Sequence, residues 1–231
     1  MSTPIEGRYE RQSDILPAER LAEVKAAVVG VGAIGRQVAL QLAAIGLKNL
    51  TLIDFDTVDP ENLCCQGYLE SDLGSLKTEA TKALIEQINS DVDVTIQSRR
   101  WRRGDISDVT FCCVDSIQIR SHMWDKISMG NSALIDTRMS ASVARVLAVT
   151  NVAGRRHYPT TLFAAEEAYA GSCTSKSTIY TANICAGMAV AQFAKWLREM
   201  PTDPDISFNI LTSEMMYGDD PVKKAVEDVE G

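Results

Sequence analysis

Val28-Val29-Gly30-Val31-Gly32-Ala33-Ile34-Gly35 decides the fold of this 231-residue chain. An apolar run, Ala26 to Val29, enters a turn carrying three glycines, and an apolar, helix-spaced run leaves it (Ile34, Val38, Leu42, Ile45). The first glycine permits a tight turn. The second lets backbone approach a phosphate, and the third lets helix and strand pack closely, so the helix N-terminus faces an anion. About 20 residues beyond Gly35, a second apolar run (Leu50, Leu52, Ile53) ends in Asp54-Phe55-Asp56. An acid at that point can accept hydrogen bonds from both ribose hydroxyls. The pair of signals predicts a nucleotide at the edge of a parallel sheet.

Working outward, strands are predicted at Ala26 to Gly30, Leu50 to Asp54, Val92 to Gln97, Val109 to Val114 and Ala133 to Asp136. Helices are predicted at Ala33 to Ile45, Lys77 to Asn89 and Ile117 to Met129. This alternation is that of a Rossmann-like, doubly wound, mostly parallel α/β sheet. Beyond it, Val143 to Val149 and Ser207 to Thr212 read as antiparallel strands added on the C-terminal side. Ser177 to Glu199 reads as a long helix rich in small residues, and Asn151 to Gly171 lacks periodicity and reads as a crossing loop. The expected organisation is one domain over residues 1–217, with an arm over 1–25, a crossover loop over about 151–175, and an acidic tail over 218–231.

Composition narrows the function. Apolar residues make up 45% of the chain, as in a globular protein. A net charge of −8 and a pI near 4.9 disfavour nucleic acid as the main partner. No apolar run approaches a membrane span, and the mixed-charge N-terminus resembles no export signal, so a cytoplasmic location is expected. Arg99-Arg100-Trp101-Arg102-Arg103 is the local exception, a solvated loop or a grip for a phosphate or acidic partner. None of the six cysteines forms a C-x-x-C pair, so neither a four-thiolate zinc site nor a disulfide framework is indicated.

Further motifs separate redox from activation. Asp54-Phe55-Asp56-Thr57-Val58, then Asn62-Leu63 and Gln66, resembles the D-x-D-x-V-x-x-x-N-L-x-R-Q pattern of the ThiF/MoeB/ubiquitin-activating superfamily. Arg8-Tyr9-Glu10-Arg11-Gln12 resembles its R-Y-x-R-Q arm, and Gly74-Ser75-Leu76-Lys77 its G-x-x-K. Ala43-Ala44-Ile45-Gly46 with Leu50-Thr51-Leu52 is similar to its L-x-x-x-G-x-x-x-L-T-L run. Cys113-Val114-Asp115-Ser116 with Arg120 resembles its C-x-D-N-x-x-x-R. Gly171-Ser172-Cys173-Thr174 resembles the segment that holds the thioester cysteine in enzymes activating SUMO-like proteins.

The resemblance implies ATP-dependent adenylation of the C-terminal carboxylate of a small ubiquitin-like protein, followed by a thioester on Cys173. Gly30, Gly32 and Gly35 would hold the phosphates, Asp54 the ribose, and Asn62 and Lys77 the phosphate region. Asp115 would hold Mg²⁺ or position the reacting groups, and also suits the cap of the next helix. Arg11 would reach into the neighbouring subunit's site, which implies a homodimer. A conjugating enzyme is a further implied partner of this minimal, prokaryote-style member. Cys173 just precedes the helix predicted from Ser177, where a thiolate is favoured, and Lys176 adds positive charge.

One position departs from the pattern: Cys65 stands where the family has a phosphate-binding arginine, and a thiol cannot replace a guanidinium. Either Arg36 or the Arg99 to Arg103 run supplies the charge, or turnover is weak. Alternatives therefore remain: a sulfur-carrier adenylyltransferase feeding thiamine or molybdopterin-type sulfur transfer, activation of a small molecule or a tRNA base, a catalytically weakened binding scaffold, and an NAD-binding oxidoreductase.

Overall fold

The computed structural model describes residues 5–163 and 177–218. Lys25–Val29 (β1) is followed by Ala33–Ala44 (α2), Asn49–Ile53 (β2), Lys77–Ile88 (α4) and Asp93–Gln97 (β3). The chain then crosses back to Val109–Cys112 (β4), Ile117–Ile127 (α5) and Ala133–Ser140 (β5). Val143–Val149 (β6), Asp205–Asn209 (β7) and Glu214–Tyr217 (β8) follow, with Ile179–Leu197 (α7) between β6 and β7. The eight strands lie in the order β3-β2-β1-β4-β5-β6-β7-β8. The first five are parallel and the last three are antiparallel additions. The doubly wound sheet with its antiparallel C-terminal side is as expected.

β1 is buried from Ala26 to Val29 because helices cover both faces of the parallel region. On one face, Val28, Leu50, Leu52 and Ile135 pack with Leu42 of α2 and Ala186, Ala189 and Phe193 of α7. On the other, Val29, Leu134, Leu147 and Val149 pack with Met123 and Ile127 of α5 and with Tyr158. Each fully buried leucine contributes about 1.5–3 kcal/mol of transfer free energy. The small residues of α7 have a packing purpose: Ala182, Ala186 and Ala189 are fully buried and let the helix axis lie close to the sheet and to α2.

Some elements differ from expectation. β5 runs to Ser140 rather than ending at Asp136, because β6 pairs with Leu134 to Ser140 while β4 pairs only with Ala133 to Asp136. Pro60–Gln66 forms a helix (α3), with proline at its first position and Gly67 ending it at φ 72°. Part of the expected crossing loop is ordered: Val152–His157 is a helix (α6), capped by Asn151 Oδ1 accepting the Gly154 N–H, and Tyr158–Thr161 is a 3₁₀ turn. The last strand among the described residues is β8, absent from the sequence expectation, and β7 begins at Asp205 rather than Ser207. A short helix, Ala18–Glu23 (α1), precedes β1 within the arm.

Candidate active site

Strand order reverses between β1 and β4, and a cleft of about 560 Å³ opens there at the carboxyl ends of the strands. The glycine turn after β1 forms its floor. Gly30 has φ +83°, and a Cβ on it would sit 2.8 Å from the Cys113 carbonyl oxygen. A Cβ on Gly35 would collide with the Gly30 carbonyl oxygen. Gly32 is different: its nearest neighbour would be Gln66 Oε1 at 3.8 Å, so its Cα faces open cleft. Two glycines therefore shape the turn and one leaves space for a ligand. Gln66 Oε1 is buried and has no protein partner among the described residues.

Asp54 ends β2 and locks the turn from the side. Its Oδ2 accepts the Val31 N–H at 2.6 Å and its Oδ1 accepts the Asp56 N–H at 2.9 Å. A carboxylate has about four lone-pair sites, so both oxygens retain capacity for a ribose. Lys77 opens α4 with a side chain only 8% exposed, and its Nζ stands 3.4 Å from Asp56 Oδ2. The Tyr68 hydroxyl donates to the Val31 carbonyl at 2.6 Å, and burial pushes its pKa up to about 12.

Asp115 stands on the far side of the turn, exposed, one residue before the Ser116 cap of α5. Among the described residues no cluster of three or more His, Cys, Asp or Glu could hold a metal alone. A single cleft carboxylate still suits Mg²⁺, which takes one or two carboxylates together with substrate phosphates and water. Gly32's open face, the N-terminus of α2 and Lys77 fit a polyphosphate by the same test.

The β5 extension forms the opposite wall. Asp136 is fully buried, ion-paired to Arg120 through Oδ1. Its Oδ2 accepts from Arg138 Nε at 3.1 Å, Arg138 Nη2 at 2.9 Å and the Tyr158 hydroxyl at 2.8 Å. Arg120 also donates to the Val114 and Thr137 carbonyl oxygens, so it braces β4 against β5.

A sequence profile of the ThiF family matches residues 10–223. The chain belongs to the ThiF family. The molybdopterin-synthase adenylyltransferase of Haemophilus influenzae is 32% identical over 128 residues, covering 50% of this chain and 53% of that protein. Ubiquitin-like modifier-activating enzyme 5 of Caenorhabditis elegans is 29% identical over 128 residues, 48% of this chain and 30% of that one. The matched stretch thus spans about half or less of these relatives. Among solved structures, Escherichia coli MccB bound to MccA-N7isoASN superimposes with a TM-score of 0.75 at 18% identity, over 96% of this chain and 74% of that one, a likeness of fold.

In this ThiF-family chain the cleft gathers Gly30, Gly32, Asp54, Lys77 and Asp115, with Gly35 packed behind them. It does not gather Asn62, whose Oδ1 accepts the Asp59 N–H at 3.0 Å inside α3. Nor does it gather Arg11. The arm docks where α2 and α4 end: Gln12 donates to the Ile45 carbonyl oxygen at 2.7 Å, Arg8 to that of Ile88 at 2.9 Å, and Asn89 to the Tyr9 hydroxyl at 2.8 Å. Those ends lie a helix length, about 18 Å, from the cleft-facing N-termini. Arg11 is exposed there. Cys173 lies outside the described residues.

Cys65 stays off the cleft, with Sγ 3.2 Å from the Glu61 carbonyl oxygen. Of the suggested replacements, Arg36 is fully buried beneath the turn, stacked 4.0 Å over Tyr68 and donating to Thr81 at 3.1 Å. Burial lowers its pKa. Arg99 is committed to Asp105 at 2.7 Å, while Arg100 lies 4.1 Å over the Phe55 ring at the cleft mouth. The sequence expectation left Asp56 out of the first rank and omitted Phe55 and Arg138. The repeated acid of Asp54-Phe55-Asp56 was a signal for the first; a charged pair inside the Asp136-Thr137-Arg138 strand was one for the last.

Proposed function

We propose that this chain uses ATP to adenylate a carboxylate, that of the C-terminal tail of a small ubiquitin-like or sulfur-carrier protein. One observation carries the proposal: a single cleft at the switch point gathers an open glycine, a ribose-competent acid, a buried lysine and an isolated carboxylate. The named relatives are adenylyltransferases and modifier-activating enzymes, which supports the same chemistry.

In this mechanism Asp54 takes the ribose hydroxyls, while the turn amides and the α2 N-terminus receive phosphate oxygens. Lys77 neutralises further phosphate charge as Asp56 holds its ammonium in place. Asp115 would hold Mg²⁺, which would supply positive charge near the pyrophosphate. A carboxylate oxygen of the tail attacks the α-phosphorus. The bond to the bridging oxygen breaks, pyrophosphate leaves with the electron pair, and no proton moves because the tail is already ionised. Arg11 acts on the cleft of a second copy in a homodimer. Its distance from its own cleft supports that assignment. Cys173 then accepts the acyl group as a thioester with release of AMP, before transfer to a conjugating enzyme or another acceptor.

The test is ATP–pyrophosphate exchange with candidate tail proteins. Exchange is expected with a free C-terminus and none with the amidated form. ATP binding without exchange by any such protein would favour the scaffold alternative, for which Cys65 outside the cleft is the supporting observation.

A further inference from the structure

Building on the adenylation reading, we propose that Arg138 binds the reacting carboxylate of the second substrate, with Asp136 and Thr161 as its positioning residues. The proposed nucleotide contacts follow the strand order: Asp54 just after β2, the glycine turn after β1, Asp115 after β4. Arg138, on β5, is next along the same edge and lines the same cleft. β5 lies two strand spacings from β1, about 10 Å. That is the side from which a second substrate meets the α-phosphate without crossing the nucleotide.

The guanidinium is held for such a task. Its Nε and Nη2 donate to Asp136, Nη2 also to Thr161 Oγ1 at 3.0 Å, and Nη1 to the Thr161 carbonyl oxygen at 2.9 Å. Arginine has five N–H donors. Four are committed, and the remaining one, on Nη1, has no acceptor among the described residues. A fixed donor aimed at an oxygen of the reacting group costs no reorganisation when the substrate arrives.

The charge inventory agrees. Arg138 pairs across the strands with Arg145, which is bidentate to Asp205 at 2.9 and 2.6 Å. Among the described residues, Arg120, Arg138 and Arg145 therefore pair with just two carboxylates, Asp136 and Asp205. One of these three guanidiniums thus lacks a carboxylate of its own among the described residues. A substrate carboxylate would complete the set.

The experiment uses the full chain and two ligands in calorimetry. AMPCPP reports the nucleotide half of the cleft. N-acetylglycyl-sulfamoyladenosine, an uncleavable mimic of an acyl-adenylate, reports both halves. For Arg138→Gln the mimic's Kd is expected to rise about tenfold to a hundredfold, with that of AMPCPP within about twofold. Equal losses for both ligands, or an unchanged mimic affinity, overturn the assignment. Should Arg138→Gln fail to fold, Arg138→Lys keeps the charge but not the fork. It is expected to weaken the mimic alone, and mimic binding equal to the parent's overturns the proposal. A parent chain that binds AMPCPP but not the mimic also overturns it while leaving a nucleotide site. A parent chain that does not bind AMPCPP ends the adenylation reading itself.

Discussion

Lys77 is tied to Asp56 twice: its Nζ stands 3.4 Å from Oδ2, and its backbone N–H donates to the Asp56 carbonyl oxygen at 2.9 Å. The loop after β2 and the start of α4 thereby move as one piece, with the ammonium held at the cleft wall. Lys77→Ala should lower exchange by about a hundredfold to a thousandfold, the scale for losing one preorganised charge contact. Asp56→Asn should cost less, because the backbone tie survives. Initial rates of exchange for the two variants check the order.

The three glycines should separate by assay. Gly35→Ala forces a methyl into the Gly30 carbonyl and should destabilise the chain by about 1–3 kcal/mol or more. Gly32→Ala meets nothing closer than 3.8 Å, so its melting temperature should stay near that of the parent while ATP affinity falls. Thermal melts with and without AMPCPP distinguish them; matched losses in both properties for Gly32→Ala would contradict its role.

Acid should loosen the far end of the sheet. Burial raises the Asp205 pKa, but donors from Arg145 and His157 together outweigh it and bring it below the ordinary 3.8. A depressed carboxylate pKa contributes stability that is fully present above its unfolded value and is lost as pH falls through the folded value. The stability difference between the parent and Asp205→Asn should therefore hold from neutrality down to about pH 4 and shrink below it. Denaturant titrations at pH 7, 4 and 3 measure that difference.

Thiol chemistry should be selective. Burial pushes the Cys113 and Cys185 thiols up to about 12. Cys64 is exposed. Brief alkylation at pH 8 followed by peptide mass spectrometry should mark Cys64 and spare Cys112, Cys113 and Cys185. Cys173→Ala should keep pyrophosphate exchange and lose the reducible adduct with the tail protein; an adduct that persists would place the nucleophile elsewhere.

Arg11 can be tested by complementation. Arg11→Ala and Lys77→Ala should each be nearly inactive alone. Mixed, they should recover activity, since a hybrid dimer has one cleft with both residues intact. No recovery after mixing and re-equilibration would argue that Arg11 acts within its own chain or not at all.

Legibility tracked the reach of each signal. β1, α2 and β2 were readable because glycine turns and long apolar periodicities are local. That Lys77 and Asp115 line one cleft was readable from their spacing within motifs. α3 escaped although Asp59-Pro60 and Gly67 bracket it, because seven residues give too little periodicity. β8 escaped because every residue in it is exposed, so no alternation marks a face. Arg138 was invisible as a site residue for another reason. Its environment is assembled from β5, the Tyr158–Thr161 turn and the cross-strand Arg145, segments joined only by folding.

β5 is parallel to β4 on one flank and antiparallel to β6 on the other. It is thus a seam between two building styles. The parallel flank is fixed by crossover helices packed on both of its faces. On the antiparallel flank β6 and β7 are joined through α7, which packs on α2 in the core, whereas β7 and β8 are joined by a short turn far from the glycine loop. Only the exposed β7–β8 end can therefore vary in length or sequence without reaching the helices that hold the glycine turn.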